Sequence, residues 1–232
     1  MTELVSSPLF GIVLTLGVFW TADFAYRRTK LILLNPVLVS SCVVIVLLKL
    51  SHIPYADYAK GGNILLFLLG PSVVALALPL WQRREQILRR KLPILVGVCA
   101  GSLASIASAA GTAWLLGASP EVVSSLVPKS VTTPIAIGIS EKIGGLVPLT
   151  AALVILTGCL GAICGPEFCR LIGIRTPTSI GLAIGTASHG IGTARVLDED
   201  RLIGAVSGLA IGLNGLATAV LVPMIWLLFG WN

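Results

Sequence analysis

Seven stretches free of Asp, Glu, Lys and Arg divide the chain: 4–22, 31–48, 61–82, 92–120, 143–166, 176–194 and 202–232. Each holds at least 18 residues, and a helix needs about 20 apolar residues to cross a hydrocarbon core. Lipid offers no partner for free backbone N–H and C=O groups, so such stretches must be helical. Only 11% of the 232 residues are charged, against roughly 25% in soluble domains. The sequence therefore predicts an all-α polytopic membrane protein, residues 1–232 forming one membrane domain. A further apolar piece, 122–140, is interrupted by Lys129, which raises the expected count from seven segments to eight.

Charge sets an expected path. Residues 1–7 lack a basic cluster, and Arg27, Arg28 and Lys30 follow the first apolar run, which suits a retained span better than a cleaved signal. A second cluster holds Arg83, Arg84, Arg89, Arg90 and Lys91, and a third holds Arg170 and Arg175. The positive-inside rule puts these three loops in the cytoplasm, and that topology accounts for the net charge of +6 without nucleic acid as a partner. On this path 122–142 begins and ends on the same side, the behaviour of a re-entrant or bent element. The five cysteines show no Cys-x-x-Cys spacing, so reduced thiols are expected, with no metal site and no cofactor.

Proline and glycine interrupt the apolar pattern at three places. Gly70-Pro71 predicts a kink in 63–81, and 177–198 reads as two half-helices because Gly181, Gly185, Gly190 and Gly192 punctuate it. The third place is 122–142, with Pro128 and Pro134. Residues 4–117 and 122–229 correspond roughly at an offset near 115, an arrangement that suits a transporter-like internal repeat.

The polar chemistry sits at two of these interruptions. In PKSVTTP, 128–134, Lys129 offers a point charge while Ser130, Thr132 and Thr133 offer hydroxyls. A half-helix starting near 135 would aim its N-terminal N–H groups at the same place. The alternative has Lys129 reaching for an interface, with the hydroxyls serving helix packing. In GTASHGIGTAR, 185–195, Thr186, Ser188 and Thr193 add hydroxyls, and Arg195 can clamp a carboxylate in bidentate fashion. His189 can gain or lose a proton near neutral pH. The alternative pairs Arg195 with Asp198, Glu199 or Asp200 and His189 with a carbonyl. Asn35, before Pro36, is either a polar contact for a solute or a helix cap.

No carboxylate lies inside the charge-free stretches, whereas cation carriers generally need one. A small anionic solute suits the inventory better. A hydrolase built on Ser130 or Ser188 with His189 is disfavoured, because adjacent Ser188 and His189 are poorly placed for proton transfer and no carboxylate in the spans can orient the ring.

At these motifs the chain resembles the LrgB/CidB family of bacterial membrane proteins. The shared signatures are LLNP (33–36), GASPE (117–121) with PKSVTTPIA (128–136), and GTASHGIGTAR (185–195). The resemblance implies an inner-membrane protein working with a small LrgA/CidA-like, holin-type partner. It also implies one of two activities. One is antiholin-like or holin-like control of murein hydrolases and autolysis. The other is carriage of small carboxylates, as in the related plastid glycolate/glycerate translocator. A holin needs only apolar spans that open a hole, so the buried polar groups favour a transporter of two- or three-carbon monocarboxylates. The expected solute contacts are Lys129, Ser130, Thr132, Thr133, Thr186, Ser188, His189, Thr193, Arg195 and Asn35, in a protein expected to form a homo-oligomer such as a dimer.

Overall fold

Proline opens many of the helices and glycine closes several of them. Pro36, Pro120, Pro134, Pro148 and Pro177 each occupy a first helical turn, where a missing N–H leaves no bond unmade. Gly117, Gly144 and Gly173 follow three helix ends with φ of 75°, 75° and 84°, a left-handed conformation that costs glycine little. Each of these ends is sealed by the next residue's N–H: Ala118 to the Ala113 carbonyl, Gly145 to Ser140 and Ile174 to Cys169, at 2.8–3.0 Å.

The computed structural model describes residues 5–29, 31, 34–68, 71, 74–75 and 77–229. Among these residues the regular structure is helical, without strands. The chain forms two compact units, Met1–Ala75 and Leu76–Asn232. The first contains α1 (Pro8–Thr29), α2 (Pro36–Leu50) and α3 (Tyr55–Phe67). Helices α1 and α3 meet at Gly11 and Gly61, where a Cβ on Gly61 would lie 2.7 Å from the Ile12 nitrogen. Thr15 Oγ1 and Tyr58 OH, 2.9 Å apart, join the same pair. Gly70, the expected kink residue, lies outside the described residues.

The second unit contains α4 (Ala77–Gln82), α5 (Arg84–Leu88), α6 (Lys91–Leu115), α7 (Pro120–Leu126), α8 (Thr133–Lys142), α9 (Val147–Leu171), α10 (Pro177–Glu199) and α11 (Arg201–Phe229). Small residues bring α10 against its neighbours. A Cβ on Gly158 would come 2.7 Å from the His189 ring, and one on Gly161 would collide with Ser188. A Cβ on Gly181 would reach the Ile203 carbonyl at 2.5 Å. Lipid tails are as apolar as leucine, so close packing of this kind is what holds membrane helices together.

Four helices, α1, α6, α9 and α11, are long and apolar enough to cross a membrane. Large apolar side chains such as Trp20, Leu103, Leu160 and Leu227 point outward from them, as a lipid-facing surface requires. The chain is a membrane protein. One boundary differs from the sequence reading, which put Arg170 and Arg175 together in a loop: α9 continues through Pro166 to Leu171 and takes in Arg170. Proline removes the N–H that would have bonded the Ala162 carbonyl, and Arg195 Nη1 donates to that carbonyl instead.

Candidate functional site

Two interruptions shape the second unit. Between α7, which Val127 caps, and α8 the chain turns through residues 128–131, with Thr132 at the N-cap of α8. Within α10 the break is His189, at φ 43° and ψ −138°. Only glycine adopts that region readily, so the surrounding contacts must hold the histidine there.

One cleft of about 680 Å³ joins the two interruptions. Its walls include Lys129 and Ser130 from the first, Thr186 and Ser188 from the second, and Gly101 and Ser105 from α6. On α6 the lining positions are 97, 101, 104, 105 and 108, one face of a helix by its 3.6-residue period. Their small side chains leave the space open.

Lys129 is half-buried. Its Nζ donates to Ser105 Oγ at 3.1 Å and Ser130 Oγ at 3.2 Å, and those two hydroxyls lie 2.7 Å from each other. Among the described residues no carboxylate forms an ion pair with this ammonium. Thr186 is 5% exposed, and its Oγ1 is buried without a hydrogen-bond partner. The cleft thus presents one cation and a pair of hydroxyls, with the buried, unpartnered Thr186 hydroxyl behind the other wall. A small anion with a second polar group matches that set.

The remaining sequence-predicted residues lie elsewhere. His189 is buried, and its Nε2 donates to the Val154 carbonyl at 2.8 Å. The carbonyl can only accept, so Nε2 carries the hydrogen. Thr193 Oγ1 bonds the His189 carbonyl at 2.7 Å and Ser207 Oγ at 2.6 Å. Neither His189 nor Thr193 lines the cleft. Thr132 and Thr133 are half-buried at the start of α8 and do not line it either.

Arg195 spends its donors on the protein. It pairs with Glu167 through Nη2 and with Glu199 through Nε at 3.4 Å, and Nη1 bonds the carbonyls of Ala162 and Ile163. Glu199 was among the partners the sequence suggested; Glu167 was not. In the first unit, Asn35 caps α2, its Oδ1 accepting from the N–H groups of Val37 at 3.0 Å and Leu38 at 3.2 Å.

Sequence reasoning missed a residue at the meeting point of the two interruptions. Asn214 of α11 is 1% exposed. Its Nδ2 donates to the Ser130 carbonyl at 3.1 Å and the Thr186 carbonyl at 3.0 Å. Its Oδ1 lies 2.6 Å from Ser102 Oγ. Two carbonyls can only accept, so this environment fixes which side of the amide is nitrogen. The signal in the sequence was a lone amide inside the charge-free run 202–232, away from its end.

The profile described as the LrgB-like family matches residues 15–228. The chain is 32% identical over 229 residues to "Antiholin-like protein LrgB" of Bacillus subtilis, covering 98% of this chain and 99% of that protein. It is 31% identical over 229 residues to "Holin-like protein CidB" of Staphylococcus epidermidis, covering 99% and 100%. An uncharacterized protein of Haemophilus influenzae is 34% identical over 213 residues, 92% of each chain. No solved structure matches. With that profile and those relatives spanning nearly its full length, the chain belongs to the LrgB-like family.

Proposed function

We propose that the chain is a multi-pass inner-membrane protein of the antiholin-like or holin-like kind, and that it acts by passing small monocarboxylates through the Lys129 cleft. The relatives' names support the first part. They read antiholin-like and holin-like, which fits modulation of murein hydrolase activity together with a small LrgA/CidA-like membrane protein. They do not speak of transport. The second part rests on one observation: Lys129 stands on an open cleft with hydroxyl partners and no carboxylate. A cation at membrane depth costs about 2.5–3.5 kcal/mol on insertion scales, and a transient anionic partner would offset that cost.

In this reading the span count is seven or eight, with 122–142 re-entrant and α10 discontinuous near the bilayer midplane. Lys129 attracts the carboxylate of a glycolate-, glycerate-, lactate- or pyruvate-sized acid. Ser130, Thr186 and Ser188 bind its oxygens. Arg195, His189 and Thr193 hold helices together rather than touch solute, and Asn35 serves as a cap. A homodimer would brace a moving unit in so small a chain.

The test is uptake of a labelled two- or three-carbon acid into liposomes holding the purified protein, at two pH values. Saturable uptake that Lys129→Ala removes supports carriage. Leakage without saturation or solute preference would leave the holin-like pore as the whole activity.

A further inference from the structure

Both interruptions create the same local problem. An unbroken helix would satisfy the Ser130 carbonyl with the N–H of residue 134, but residue 134 is proline and has none. The Thr186 carbonyl would bond the N–H of Gly190, but the left-handed His189 lies between them. Buried carbonyls need a donor, and lipid-embedded protein has no bulk water to supply one. The amide of Asn214 answers both at once, reaching one carbonyl with each of its two hydrogens.

The consequence concerns the cleft. Ser130 is on one wall and Thr186 on the other, so their shared donor sets the distance between the walls. Ser102 completes the clamp from α6, at the acceptor side of the amide. We infer that Asn214 is a positioning residue that ties the two interrupted segments into one body and thereby fixes the length of the acid the cleft accepts. This inference rests on the reading of the cleft as a carboxylate site. Lys129 holds one end of the ligand, and the wall formed by Thr186, whose Oγ1 is buried and unpartnered, bounds the other. Held at constant spacing, those two points act as a ruler. A methylene too many or too few in a fixed site costs roughly tenfold or more in selectivity.

Asn214→Asp keeps the size of the side chain but turns its two donors into an acceptor facing two carbonyls. Asn214→Ala removes the clamp. Ser102→Ala leaves both donor bonds in place and removes the shorter of two hydroxyl bonds to the amide oxygen, Thr218 keeping the other at 3.4 Å, so it provides a milder variant that should fold normally. Saturable binding or uptake is measured for two-, three- and four-carbon 2-hydroxy acids, and backbone hydrogen exchange is followed over 128–133 and 186–190.

The expected result is a loss of length preference by about tenfold in Asn214→Ala and Asn214→Asp and by less in Ser102→Ala, with exchange rising in both segments together. A uniform fall in affinity for all three acids, with preference unchanged, would overturn the ruler. If the wild-type protein binds none of the acids, the carboxylate reading fails. Exchange then still decides the clamp: joint loosening of the two segments supports it, and loosening confined to α11 overturns it. Should both Asn214 variants fail to fold, Ser102→Ala carries the same two readouts, and unchanged preference and exchange there would count against the inference.

Discussion

Lys129 and Arg195 began as equivalent cations in two polar interruptions, and the fold treats them in opposite ways. Among the described residues Lys129 donates to two hydroxyls, on a cleft wall. Arg195 is committed to two carboxylates and two carbonyls. Hydroxyls can turn to donate or accept and so yield their place to a ligand. Carboxylates cannot do so without leaving a charge stranded. The difference separates a cation available for binding from one that holds α9 to α10.

The sharpest way to break this comparison is to remove each charge in turn. Lys129→Ala should weaken binding of a small carboxylate by about a hundredfold, the loss of charge-assisted hydrogen bonds worth roughly 1.5–3 kcal/mol, while the melting temperature in detergent stays near the wild-type value. Arg195→Ala should do the reverse, lowering stability by about 2 kcal/mol with affinity largely kept in the protein that folds. Part of that loss is the Ala162 carbonyl, stranded because residue 166 is proline. Pro166→Ala restores the missing N–H and should recover part of the stability of Arg195→Ala. Equal effects of the two charge removals on binding would erase the distinction between the cations.

A smaller perturbation sharpens the comparison from the side of the cleft. Gly161 lies against Ser188, and a Cβ there would collide with the serine side chain. Gly161→Ala should cost about 1–2 kcal/mol of stability, within the range for overpacking. It should also weaken carboxylate binding severalfold, because Ser188 is displaced along the cleft wall. The corresponding change at Gly190, where a Cβ meets nothing within 4 Å, should leave binding unaltered. If Gly161→Ala binds as well as wild type, Ser188 has no place in the site.

What could be read from the sequence, and what could not, follows the same division. Several helix boundaries were legible because Pro at first turns and Gly after last turns are local signals: 122–142 is interrupted between α7 and α8, whereas 177–198 kinks at His189 and not at one of its glycines. Lys129, Ser130, Thr186 and Ser188 stood out because polar groups are costly in apolar runs. Ser102 and Ser105 did not, since a helical hydroxyl commonly lies within reach of the carbonyl four residues back, and Ser102 shares its hydrogen between Val98 at 2.8 Å and Asn214 at 2.6 Å. Nothing in such a pattern distinguishes a cleft wall from a packing face. The Glu167–Arg195 pair is 28 residues apart in sequence, and Glu167, which ends the charge-free stretch 143–166, lies inside a helix that continues to Leu171. Asn214 was visible but unpartnered on paper, because its acceptors are backbone carbonyls and every residue has one.

The least effect is expected at His189, and it tests the backbone rather than the charge. The ring gives one hydrogen bond to Val154 and packs on Gly158, while the left-handed φ of 43° costs a non-glycine residue about 1–3 kcal/mol. His189→Gly loses the first and is relieved of the second, so its stability should fall within about 1 kcal/mol of wild type. His189→Ala loses the bond and keeps the strain, which should place it about 1 kcal/mol or more below His189→Gly. Chemical denaturation in detergent micelles measures that gap directly. Alanine and glycine of equal stability would mean that residue 189 is not held left-handed, and the break that brings Thr186 and Ser188 to the cleft opposite Lys129 would need another cause.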